Sequence, residues 1–209
     1  MRDWLSPPGP CSPGLKIGLL GGSFNPAHAG HLYISETAIK RLGLDFVWWL
    51  VAPQNPLKPT AGMAPLQTRL CDAARRYEHH LRIIVVDVET TLRTRYTVDT
   101  LAALKRRFPG VNFVWLMGSD NLAAFHRWRR WREIARSVPI AVVLRPGSTL
   151  APLSAPAARV LAHAHRKPGP NFALSRPPAL TVLDGRRNPA SATAIRARTQ
   201  DFVGAIPTW

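Results

Sequence analysis

The chain has 209 residues, enough for one α/β domain with a sizeable core and short for two. Lys and Arg number 28 against 12 Asp and Glu, a formal net charge of +16, which favours anionic partners (nucleic acid, an acidic membrane surface or phosphorylated small molecules) without choosing among them. The two cysteines, Cys11 and Cys71, stand in no metal-ligand or redox spacing and suit a reducing cytosol; no window approaches a membrane span, so a soluble cytoplasmic protein is expected.

Residues 1–15 are punctuated by prolines and lack the apolar region of a signal peptide, which predicts a flexible leader ahead of a single domain over 16–209. Apolar runs of strand length follow at 16–20, 46–52 (FVWWLVA), 82–86 (RIIVV), 111–117 (VNFVWLM), 140–144 (IAVVL) and 180–183. They are continuous, not alternating, as in strands buried on both faces. Helical patterns lie between them, at 31–42, 66–78, 98–108, 121–136, 156–165 and 192–199. In the third, Leu101, Leu104 and Phe108 share a face and Pro109-Gly110 ends the pattern. The alternation predicts a doubly wound, Rossmann-like parallel sheet with helices on both faces and right-handed crossovers. Segments 145–156 and 167–178 read as surface loops, and the chain has no internal repeat.

In such sheets ligands sit beyond the carboxyl ends of the strands, so function is sought in the loops after them. The most telling loop is GGSFNPAHAGH, residues 21–31. Gly21 and Gly22 allow close backbone approach to an anion in a tight turn, and the helix that follows offers its N–H groups to a phosphate. An ordinary βα turn explains the glycine pair alone. His28 and His31 are three apart, so a helix beginning near His28 puts both on one face. Two further loops follow strands: 53–59 (PQNPLKP), which holds Lys58, and 118–121 (GSDN), which holds Asp120.

GGSFNPAHAGH resembles the (H/T)xGH signature of the nucleotidylyltransferase superfamily, and SATAIR at 191–196 is similar to its S-(S/T/A)-T-x-I-R motif at a helix N-terminus. TRYTVDTL at 94–101 resembles the SYT-x-(D/Q)-TL segment, Gly118-Ser119-Asp120 matches G-x-D, and Phe125 to Trp128 matches the F-x-x-W that follows it. Together these resemble the bacterial nicotinate mononucleotide adenylyltransferases over roughly residues 16–200. The family transfers AMP from ATP to nicotinate mononucleotide, giving deamido-NAD and pyrophosphate in NAD biosynthesis. The attacking phosphate monoester is largely dianionic near neutrality, with a second pKa of about 6, so it needs no general base; positioning and charge stabilisation must supply the catalysis.

The resemblance implies catalytic roles for His31, His28, Lys58 and Arg196, with His31 at the α-phosphate and Lys58 directed toward the triphosphate. It gives ATP to Gly21, Gly22, Ser23, Phe24, His28, His31, Asp120, Ser191, Thr193 and Arg196. Nicotinate mononucleotide falls to Gly22, Ser23, Phe24, Lys58, Thr97 and Trp128, the Thr97 amide meeting the carboxylate and Trp128 stacking on the pyridine. Plainer explanations stand beside these: a solvated loop lysine at 58, a helix cap at Ser191 and at Asp120, a core tryptophan at 128. Arg95 and Arg129 depart from the pattern, which has Ser at the first position and often an aromatic at the second. Mg²⁺ is expected to come with ATP, held by substrate, since the motifs carry no carboxylate cluster for a protein-only cage. Phosphopantetheine adenylyltransferase is the nearest rival, a glycerol- or choline-phosphate cytidylyltransferase the next, and a basic nucleic-acid-binding module the rival of another class. No nucleic-acid motif is visible, no specific nucleic acid or membrane is expected, and monomer and homo-oligomer both stay open.

Overall fold

The structure, a computed structural model, describes residues 7–53, 62–144 and 154–183. Six strands, β1 (Lys16–Gly22), β2 (Phe46–Val51), β3 (Ile83–Val86), β4 (Asn112–Gly118), β5 (Ile140–Val143) and β6 (Leu180–Leu183), form one sheet in the order β3-β2-β1-β4-β5-β6. Every pairing is parallel. The order reverses between β1 and β4, which places the crevice expected for a ligand beyond Gly22 and Gly118.

Both faces of the sheet are covered, as the continuous apolar runs require. Adjacent residues of a strand point to opposite faces, and the pair Trp48-Trp49 shows it: both are fully buried, in different core clusters. Trp48 lies with Leu101 and Leu104 of α4 (Thr97–Arg107) and Ile134 of α6 (Trp131–Ser137). Trp49 lies with Ile34, Ala38 and Leu42 of α1 (Ala29–Leu42) and Ala73 of α2 (Leu66–Arg76). Helix α1 stops at Gly43, which takes the left-handed conformation at φ 58° that a side chain rarely adopts.

The departures from the expected boundaries have local causes. Strand β1 runs on through both glycines, because Gly21 and Gly22 pair with Leu50 and Val51 and the Ala52 amide donates to the Gly22 carbonyl at 2.9 Å. The turn is thereby displaced to the residues between Gly22 and His28. The pattern at 121–136 is not one helix but α5 (Ser119–Ala124), a 3₁₀ turn (Phe125–Arg127) and α6, with Arg130 left-handed at φ 52° between them. The break lets Trp128 reach Trp115 on β4 while Trp131 stays on Phe125, at centroid distances of 6.0 and 5.7 Å; Glu133 holds the Arg130 guanidinium through both its oxygens.

The pattern at 156–165 ends early, as α7 (Pro156–Val160) and a 3₁₀ turn, because the chain next pairs with β6 through the Arg166 amide and the Leu180 carbonyl. A four-residue helix, α3 (Val88–Thr91), too short to leave a periodic signal, follows β3. Residues 7–15, expected as part of a flexible leader, lie against the sheet, with Cys11 and Leu15 packed on the core and the Gly14 amide on the Gly110 carbonyl. Among the described residues no helix is long and apolar enough to cross a membrane. The helix expected at 192–199 lies outside the described residues.

Candidate active site

The loop leaving β1 is built around two imidazoles. His28, in extended backbone, is the N-cap of α1 and His31 is its third residue. His28 Nδ1 accepts from the Gly30 amide at 3.0 Å, and His31 Nδ1 accepts from the His28 amide at 3.3 Å, a reciprocal capping box with histidines in place of the usual Ser and Glu. A neutral imidazole whose Nδ1 accepts carries its proton on Nε2, so both rings hold the tautomer that presents an N–H on the edge away from the backbone. The rings lie 3.9 Å apart, which places both on one face of the helix start. The first turn of α1 carries no acidic side chain of its own, and the positive end of the helix dipole lies there.

Behind the imidazoles the support is aromatic. Phe24, almost fully buried, stacks on Trp49 at 5.0 Å and meets His31 at 4.5 Å. Its φ of 46° is unusual for a residue with a Cβ and is held by that packing; with the ring buried, the loop can offer a ligand only the Phe24 backbone. Ser35, one turn beyond His31, donates to the His31 carbonyl at 2.9 Å and accepts from Trp49 Nε1 at 2.7 Å, tying α1 to β2 directly beneath the histidine.

Gly21 is a packing position. A Cβ there would stand 2.7 Å from the Trp115 indole, so the missing side chain is the room Trp115 occupies. Trp115 in turn meets half-buried Trp128 edge-on, and Trp128 meets Phe125 at 5.4 Å. By this chain of contacts the end of β1 and the F-x-x-W segment come together, although they are more than a hundred residues apart. Asp120 is exposed in the first turn of α5. The cap of that helix is Gly118, so Asp120 does not take the N-cap place that was the plainer expectation for it.

Thr97 opens α4, where its amide has no acceptor within the helix, and Tyr96 just before it lies under the Arg129 guanidinium at 4.6 Å, with Arg95 at 5.8 Å. The two departures from the family pattern thus meet on one ring. Glu89 of α3, on the carboxyl-end side of β3, has its carboxyl pushed up from the ordinary 4.5 to about 7 by burial. Among the described residues no group of three or more His, Cys, Asp and Glu could hold a metal. Lys58, Ser191, Thr193 and Arg196 lie outside the described residues. Sequence reasoning passed over Ser35 and Arg69; the one available signal for Arg69 was an arginine four residues before Ala73, on the buried stripe of α2.

A parallel sheet with its switch point beside a histidine-capped helix defines a nucleotide-binding α/β protein. Residues 19–198 match the family described as cytidylyltransferase-like. A protein of Cereibacter sphaeroides named "Probable nicotinate-nucleotide adenylyltransferase" is 55% identical over 183 residues, covering 88% of this chain and 97% of its own. One of the same name from Parvibaculum lavamentivorans is 53% identical, over 90% of this chain and 94% of its own. The chain belongs to the cytidylyltransferase-like family and, within it, to the nicotinate-nucleotide adenylyltransferases. Its fold is also that of the Plasmodium falciparum nicotinic acid mononucleotide adenylyltransferase complexed with NaAD, at a TM-score of 0.66 and 14% identity, over 88% of this chain and 83% of that one.

Proposed function

We propose that the chain transfers AMP from ATP to nicotinate mononucleotide, releasing pyrophosphate and forming deamido-NAD. The observation that carries this reading is the imidazole pair: two Nε2–H donors, with their Nδ1 atoms engaged by backbone, at a helix N-terminus beside the switch point. Such donors are set for charge that develops on an α-phosphate and its bridging oxygen, and they need no reorganisation as the reaction proceeds. The nucleophile is a phosphate oxygen that attacks the α-phosphorus as the bond to pyrophosphate breaks, so no protein base or covalent intermediate is required.

In this reading His31 stabilises the α-phosphate and His28 acts with it. The loop Gly21, Gly22, Ser23 and Phe24 gives backbone to both substrates, and Asp120 accepts from the ribose or the amine of ATP. Thr97 and Trp128 receive the nicotinate end, as amide donor and ring platform. Lys58, Ser191, Thr193 and Arg196 are assigned to the triphosphate and the departing pyrophosphate on their motifs alone. Mg²⁺ is assigned to ATP, where it would neutralise and orient the phosphate oxygens. A cytoplasmic location is part of the proposal, supported by two cysteines that are both free. The test is pyrophosphate release from ATP with nicotinate mononucleotide, nicotinamide mononucleotide or phosphopantetheine offered singly. Fastest turnover with the first is expected, and turnover with phosphopantetheine alone would overturn the assignment.

A further inference from the structure

The guanidinium of Arg69 is among the most deeply placed polar groups of the molecule. It is 2% exposed and hydrogen-bonds to backbone carbonyls from three stretches of chain. Nε donates to Ala64 at 2.9 Å, Nη1 to Ser23 at 2.5 Å and to Ala52 at 2.8 Å, and Nη2 to Pro53 at 3.0 Å. Among the described residues no carboxylate is paired with it. A buried cation without a counter-charge is costly, and a planar fork that engages four carbonyls is a geometry a lysine cannot reproduce. Asn25 reinforces the junction, its side chain bonded to the Gly62 carbonyl and the Ala64 amide at 3.0 and 3.1 Å.

The consequence lies in the Ser23–Phe24 peptide. It is trans, the cis bonds being Asn25-Pro26 and Pro177-Pro178. In a trans peptide the carbonyl and the following N–H point to opposite sides, so capture of the Ser23 carbonyl by Arg69 turns the Phe24 N–H away from α2. Phe24 sits at φ 46° with its ring locked between Trp49 and His31, and among the described residues it is the Arg69 guanidinium that holds the Ser23 carbonyl.

We infer that Arg69 is a positioning residue for nucleotidyl transfer: by holding the carbonyls of Ser23, Ala52, Pro53 and Ala64 it fixes the loop peptide so that the Phe24 N–H faces the phosphates beside His31. This rests on the reaction proposed above. Arg69 itself touches no substrate; it acts through the loop backbone.

The experiment pairs kinetics with a backbone readout. With wild type active in the same assay, Arg69→Lys and Arg69→Met are compared for kcat, KM and near-ultraviolet circular dichroism. For Arg69→Lys the expected result is a native spectrum with kcat reduced about 100-fold, as a misplacement on the order of 1 Å causes, and a smaller rise in KM for both substrates, which share the loop. In parallel, inorganic pyrophosphate is titrated into ¹⁵N-labelled wild type, where the Phe24 amide is expected among the most shifted signals. Folded Arg69 variants with kcat within about two-fold of wild type would overturn the inference, and so would a Phe24 amide in wild type that does not respond to saturating pyrophosphate. A wild type that binds pyrophosphate through Phe24 yet makes no deamido-NAD would sink the proposed reaction, and with it Arg69's part in nucleotidyl transfer, while the Phe24 N–H kept its place as a phosphate donor.

Discussion

Replacing Ser35 by alanine removes one oxygen and breaks two bonds, the donation to the His31 carbonyl and the acceptance from Trp49 Nε1. Ser35 and Trp49 are both fully buried, so no water reaches the indole N–H once its acceptor is gone. An orphaned buried donor costs about 1–3 kcal/mol, more than the net value of the bond itself. We expect Ser35→Ala to lose about 2 kcal/mol, which for a chain of this size lowers Tm by about 4–8 °C. Trp49→Phe deletes the donor and costs stability for a separate reason, lost packing against Phe24 and Tyr77. In the Trp49→Phe background Ser35→Ala leaves no orphan, so the two changes together should cost less than their sum by about 1 kcal/mol or more. Urea unfolding of the four proteins measures this interaction energy directly. Additivity within about 0.4 kcal/mol would refute the reasoning, since distant or uncoupled pairs add to that precision.

Three further outcomes are expected. Glu89 keeps its proton to about pH 7 in the folded chain and loses it near 4.5 when unfolded; the native state therefore binds more protons in between, and stability falls as pH rises through that window, by up to about 3 kcal/mol. Glu89→Gln should abolish that slope, and urea unfolding at pH 5 and pH 8 that shows equal slopes in both proteins would contradict it. Gly21→Ala drives a Cβ into the Trp115 indole and should cost about 1–3 kcal/mol by overpacking, with a raised KM for nicotinate mononucleotide as Trp128 is displaced; an unchanged KM would count against Trp128 as the ring platform. His31→Ala removes half of a capping box, a loss of about 1 kcal/mol in stability, but should lower kcat by about 100-fold or more; near-normal turnover would remove His31 from the mechanism.

The strands were legible because parallel strands are apolar on both faces, and 180–183 matches its strand to the residue. Patterns failed where tertiary contacts decide the backbone. Nothing in the run of residues 121–136 signals that Trp128 leaves the helix for Trp115, and a capping histidine is invisible to a pattern that expects Ser, Thr, Asp or Asn, so α1 begins two residues before the predicted start. The glycine pair was read for its freedom of backbone, whereas Gly21 also answers to Trp115 across the sheet, a contact that depends on the β1–β4 register. The candidate residues in the described loops came from motifs that resemble the family's, and those motifs fall within three residues of a strand end or a helix start, where a short run of sequence carries the signal. Ser35 and Arg69 could not, since their value lies in what they hold from the side: Trp49 and His31 in one case, four carbonyls in the other.

In the proposed reaction this loop and its histidines serve attack on the α-phosphorus of ATP by the phosphate of nicotinate mononucleotide. Incubation with that acceptor and ATP labelled in either the α- or the γ-phosphate tests it most directly. The α-label is expected in deamido-NAD, and the γ-label is expected to leave entirely as pyrophosphate. Transfer of the γ-label to the acceptor, or no labelled dinucleotide at all from wild type, would contradict it.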